Sequence, residues 1–143
     1  MSFRRLKKEV FEIISTGDLE RLSLLPKKKA VSFLIGFLSY PDEQIKKMAI
    51  KALGLLVPKV ADEDIESARI IMRKLMWNLN DESGGIGWGI PEAMAEIMKN
   101  HKTLRKEYEH ILKSYARGGG NYLDFPPLEK EVRRAVESLN RVK

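Results

Sequence analysis

The chain contains no cysteine, only two histidines and only two tryptophans among 143 residues. The missing thiols exclude disulfides, zinc–thiolate centres and cysteine nucleophiles, and they fit a reducing compartment. Long apolar runs are missing too. The longest, Val31 to Leu38, is far short of a membrane span, and the basic start is interrupted by Glu9 and Glu12 before any signal-type apolar core develops. A cytoplasmic location is therefore expected. No period-two alternation persists long enough for a strand, which leaves a helical chain.

Hydrophobic residues make up 43% and charged residues 32%, the balance of a folded domain. The net charge of +6 is mild and dispersed, with Lys27-Lys28-Lys29 as the one cationic run and an acidic stretch at 62–66. Abundant Lys, Arg and Glu without Cys also suits a heat-adapted protein.

Apolar residues recur at helical spacing almost throughout. Phe3, Leu6, Val10, Ile13 and Ile14 form one stripe, closed by Thr16-Gly17. Asp18 then caps a short helix bearing Leu19, Leu22 and Leu25, stopped by Pro26. Ala30 to Leu38 forms the next, ended by Tyr40-Pro41. Asp42 caps a helix whose face is Ile45, Met48, Ala49, Ala52, Leu53 and Leu56, with Pro58 as its expected end. From Asp62 the spacing predicts the longest helix, on Ile65, Ala68, Met72, Leu75 and Leu79. Ile70 and Trp77 give that helix a second apolar edge, so packing on two sides is expected. Further helices carry Ala93, Met94, Ile97 and Met98, then Leu104, Tyr108, Ile111, Leu112 and Tyr115, and finally Leu128, Val132, Ala135, Val136 and Leu139.

The turns at Pro41-Asp42, Asn80-Asp81 and Asp124-Phe125 recur at roughly 40 residues, the period of two-helix solenoid units. In the first unit, Asp42, Ile45, Lys46, Ala49, Ala52, Leu53 and Gly54 resemble the second helix of the HEAT-like repeat of phycobilisome-lyase-type proteins. The pattern weakens in the second unit, where Trp88 takes the aliphatic position and Gly89 the basic one. In the third, Val132 and Arg133 restart it and the alanine is displaced to Ala135. The resemblance implies an all-α fold, an α-α superhelix of about three helix pairs. One domain over 1–143 is expected, with residues 1–26 as an N-terminal helical cap and 27–143 as the repeats. Small residues suit such a fold because neighbouring helices approach closely there. The fold carries no activity with it.

Trp77 to Glu92 is the least ordinary stretch, with both tryptophans and four of the ten glycines. Together with Gly120-Asn121-Tyr122-Leu123 it resembles the signature of an uncharacterised prokaryotic HEAT-like family. At about ten residues the connection exceeds an ordinary inter-helix turn. Gly84, Gly85, Gly87 and Gly89 permit positive φ. Pro91 suits the first turn of the following helix.

Known phosphate cradles fail on spacing: Ile90-Pro91 stands where a P-loop has its Lys-Ser/Thr pair, and the dinucleotide glycine pattern is broken at Ile90. The HEAT-like di-iron hydroxylases use His-Glu pairs, and none is present here. His101 and His110 read as capping or solvated. No metal and no cofactor is expected.

The candidate contact residues are Trp77, Asn80, Asp81, Glu82, Ser83, Trp88, Glu92, Asn121 and Tyr122. The reading they favour is a non-catalytic binding or scaffold module that meets a protein or peptide partner through two loops on one edge. The alternative is a small-ligand or enzymatic pocket built on Asp81, Glu82 and Glu92. A third reading, nucleic-acid binding by Lys46, Lys47, Lys51, Arg133 and Arg134, is opposed by Glu92 and Glu96 in the middle repeat, and Lys46 is expected to pair with an acid of the adjoining unit. A purely structural loop, with Asn80-Asp81 as a turn, Ser83 as a cap, Glu92 against the helix dipole and both tryptophans in the core, explains the same residues.

Overall fold

A computed structural model of the chain describes residues 2–79, 89–116 and 126–142. Seven α-helices account for most of them: α1 Phe3–Thr16, α2 Lys27–Phe37, α3 Glu43–Glu63, α4 Ile65–Leu79, α5 Ile90–Lys99, α6 Lys102–Ser114 and α7 Pro126–Asn140. No strand occurs among the described residues. The helices pair as hairpins. Each of α2, α4 and α6 packs on the helix that follows it, while α3, α5 and α7 lie side by side as a continuous layer. Helix α1 caps the open end by packing on α2 and α3. The architecture is an all-α stack of three helix pairs behind an N-terminal cap.

Local signals explain most boundaries. Ser2 Oγ accepts from Arg5 N at the start of α1, and Gly17 closes that helix at φ +81°, its N–H donating to Ile13 O. Asp42 caps α3 by accepting from Gln44 N and Ile45 N. His101 caps α6 through Nδ1, which accepts from Leu104 N, while its Nε2 lies 3.2 Å from Asp62. Between Gly17 and α2, Leu19–Leu24 forms a 3-10 turn in place of the expected α-helix, and Asp18 makes no side-chain capping bond there.

Three expectations need correction. Pro58 does not end α3, which runs 21 residues to Glu63 and is the longest helix described. Accordingly α4 starts at Ile65, after Asp64, whose carboxylate accepts from Glu66 N and from the Ser67 hydroxyl. Finally, α4 is not packed on two sides: Ile70 and Trp77 are 56% and 75% exposed.

The passage of α3 through Pro58 has a specific cause. Proline lacks the N–H that would donate to the carbonyl four residues back, here Gly54 O. Asn100 Nδ2 on α5 supplies the missing donor at 3.0 Å and also donates to Glu96 O at 3.0 Å. The two helices can come this close because Gly54 has no side chain. A Cβ at Gly54 would lie 2.9 Å from Glu96 Cβ. The core follows from this layer, with Ala49, Ala52, Leu53 and Leu56 of α3 buried alongside Ala93, Met94 and Ile97 of α5 and Val132, Ala135 and Leu139 of α7.

Gly54→Ala should lower stability by about 1–2 kcal/mol, because the overpacking penalty exceeds the gain in helix propensity. Gly36→Ala, where an added Cβ meets nothing within 4 Å, should raise it by about 0.5–1 kcal/mol. Urea unfolding of the two variants checks the opposite signs. Asn100→Ala leaves the Gly54 carbonyl without its donor and should cost about 1–3 kcal/mol in the same measurement.

Candidate functional site

The connection from α4 to α5 re-enters the described structure at Gly89, and its anchorage there is the most distinctive polar feature of the molecule. Gly89 takes φ +78°, a left-handed conformation, and a Cβ on it would stand 3.4 Å from Leu38 Cδ2 and 3.7 Å from Lys46 Cδ. Its N–H donates to Glu131 Oε1 at 2.7 Å. Glu131 lies in the second turn of α7, 5% exposed. A single bond thus ties the exit of one long connection to the helix that follows the other. Leu38 after α2 and Lys46 of α3 complete the surroundings of Gly89 and Glu131.

Burial dominates the electrostatics here. It pushes the Glu131 carboxyl up to about 7, and the negative charge of Glu92 pushes the same way. The Gly89 N–H, Lys46 and Arg134 oppose them. Lys46 also sits 3.7 Å from Glu43 on its own helix.

Next to this point a groove of about 140 Å³ opens between α3, α5 and α7, lined by Ile50, Glu92, Ala95, Glu96, Arg134 and Ser138. That volume is below the few hundred Å³ of ordinary small-molecule sites. Glu96 is engaged by Lys99 at 2.7 Å. Carboxylates therefore occupy the middle of the layer that Lys46, Lys47, Lys51, Arg133 and Arg134 would have to line as a continuous cationic face.

Of the candidates read from sequence, Glu92 falls in the first turn of α5, where a negative charge suits the helix dipole, and belongs to the Glu131 cluster. Trp77 lies on α4, exposed, on one stripe with Ile70, Arg73 and Lys74. Asn80, Asp81, Glu82, Ser83, Trp88, Asn121 and Tyr122 fall outside the described residues, as do Gly84, Gly85 and Gly87. Among the described residues, no group of three or more His, Cys, Asp or Glu is placed to hold a metal ion, and no helix is long and apolar enough to cross a membrane.

Glu131 was not among the sequence candidates. It reads as one more charge in L-E-K-E-V-R-R, yet it takes the i+3 position between Leu128 and Val132 on the apolar stripe of α7. A lone acid at a core position was the available signal.

Comparison with known proteins adds little chemistry. The chain is 40% identical over 79 residues to an uncharacterised protein of Archaeoglobus fulgidus, a match covering 55% of this chain and 40% of that relative's length. No family model and no solved structure matches.

The raised carboxyl gives a signed pH dependence. With a folded value near 7 and an unfolded value near 4.5, the native state holds the proton more tightly between those limits. Stability should therefore fall as pH rises from about 5 to 8, by roughly 1–3 kcal/mol from this group. Glu131→Gln keeps an acceptor for Gly89 N–H and should flatten that decline, as read from thermal midpoints across the range.

Proposed function

We propose that this chain is a HEAT-like binding module that docks a protein or peptide partner along the edge where the α4–α5 and α6–α7 connections emerge. The observation that carries the reading is the exposed stripe on α4. Ile70, Arg73, Lys74 and Trp77 follow at i, i+3, i+4 and i+7, so two large apolar groups flank two cations on one face. Trp77 gives nothing to the core at 75% exposure, and it stands at the entry to the Trp77–Glu92 connection. Large aromatics and cations on an open surface are the usual anchors of protein interfaces. The hairpin stacking and the repeat-like Asp42–Gly54 segment support the HEAT-like assignment, and stacked helix pairs commonly present such edges.

A second reading keeps Glu92 as part of a ligand site, now with Glu131 in place of a loop acid. The observation favouring it is a buried carboxyl held near 7 beside a second carboxylate, the arrangement of a proton-transfer pair. The small groove volume favours the partner reading instead.

Immobilised chain, exposed to lysate of its own source cell, should retain a specific protein. The doubly substituted Ile70→Ser, Trp77→Ser chain should lose it at least tenfold with its helical circular dichroism unchanged. Leu24→Ser, an exposed leucine away from this stripe, should not. Equal retention by all three chains would refute the interface.

A further inference from the structure

A second surface lies at the opposite end of the chain. Along α1 the side chains of Arg4, Arg5, Lys7 and Lys8 occupy the first two turns, all exposed. Cations are disfavoured at the positive end of a helix dipole, and no acidic residue lies in that first turn to offset them. Elsewhere four arginines are matched: Arg69 forks onto Glu107 and reaches Glu66, Arg73 reaches Glu66, Arg105 reaches Glu109 and Arg133 reaches Glu129. Among the described residues the four cations of α1 enter no ion pair.

These charges border aromatic rings. Phe11, Phe37 and Tyr40 form a three-ring cluster with centroids 5.2–5.7 Å apart, and Phe3 packs on Phe33 at 4.7 Å. Phe37 is buried as the floor, while Tyr40 and Phe3 remain 37% and 74% exposed. Arg4, Lys7, Lys8, Phe11, Phe37 and Tyr40 line an open groove of about 280 Å³. From Phe3 to Phe11 the strip is about 12 Å long at the helical rise.

We infer that the α1–α2 groove binds single-stranded nucleic acid, with phosphates on Arg4, Lys7 and Lys8 and bases stacked on Tyr40 and Phe11, and with the exposed Phe3 beside the groove as a further ring. Unmatched cations beside partly exposed rings are the two elements such grooves combine. A membrane surface is the poorer fit, because the apolar face of α1 is already spent: Leu6, Val10, Ile13 and Ile14 are buried in the core. An acidic peptide would satisfy the cations and leave the rings without stacking partners.

The test is fluorescence anisotropy of a labelled oligothymidylate of about 12 nucleotides with the full chain. Three phosphate contacts predict an affinity loss of roughly 20-fold between about 50 and 200 mM salt. Lys7→Glu with Lys8→Glu should weaken binding at least tenfold, and Tyr40→Ala at least fivefold. Lys102→Glu with Lys106→Glu on α6 makes the same change in net charge and should cost less than about twofold. Each chain is first checked for its helical circular dichroism. No binding at low salt, an equal loss from the α6 pair, no effect of Tyr40→Ala, or displacement by polyglutamate as readily as by unlabelled oligothymidylate would each overturn the assignment.

Discussion

The close approach of α3 and α5 at Gly54 is the constraint on which the stack depends. Three residues must agree for it to exist. Gly54 leaves the space, Pro58 removes the donor that Gly54 O would otherwise receive, and Asn100 reaches across to replace it. The result is a central layer in which α5 is held between α3 and α7. Because α5 is fixed, its first residue fixes where the long α4–α5 connection returns. A local packing fact in the first repeat unit therefore sets the position of the edge formed by Leu38, Lys46, Gly89 and Glu131.

That edge is held by an interaction of a different kind. A carboxyl group buried in α7 receives the N–H of a left-handed glycine, and its proton affinity is raised by the same burial that makes the bond strong. Polar anchorage at a core position costs stability that an aliphatic residue would not. It does, however, specify one return path for the chain, since no other described backbone donor meets Glu131. The α4 stripe and the α1–α2 groove, by contrast, are surfaces the core did not need. Trp77 on α4 and Tyr40 just after α2 stay open to solvent while neighbouring apolar residues such as Leu75 and Leu38 are enclosed.

Helix number, order and apolar faces were largely legible in the residues. Leu6, Val10, Ile13, Ile14, Leu53, Met72, Leu75, Ile97 and Leu112 all lie in the core, as their spacing predicted. Punctuation was read less well. Pro58 looked like a stop because a proline normally orphans a carbonyl, and the partner of that carbonyl, Asn100, is 46 residues further along the chain. Ile70 and Trp77 looked like a second packed edge because spacing reports that two residues share a face, not whether anything covers it. Of the candidate site, Glu92 was placed rightly at a helix start, Trp77 proved exposed, and Glu131 was passed over.

What the sequence determined by itself is what depends on neighbours within a few residues: helical periodicity, the cap at Asp42, the stop at Gly17, and the repeat spacing that implies stacked hairpins. Tertiary structure alone decided the rest. It chose which carbonyl receives Asn100, which acid is buried under Gly89, which aromatic rings stay open, and which cations lack a partner. Each of those depends on groups brought together from distant parts of the chain, and burial and charge pairing act through space, where sequence separation carries no information.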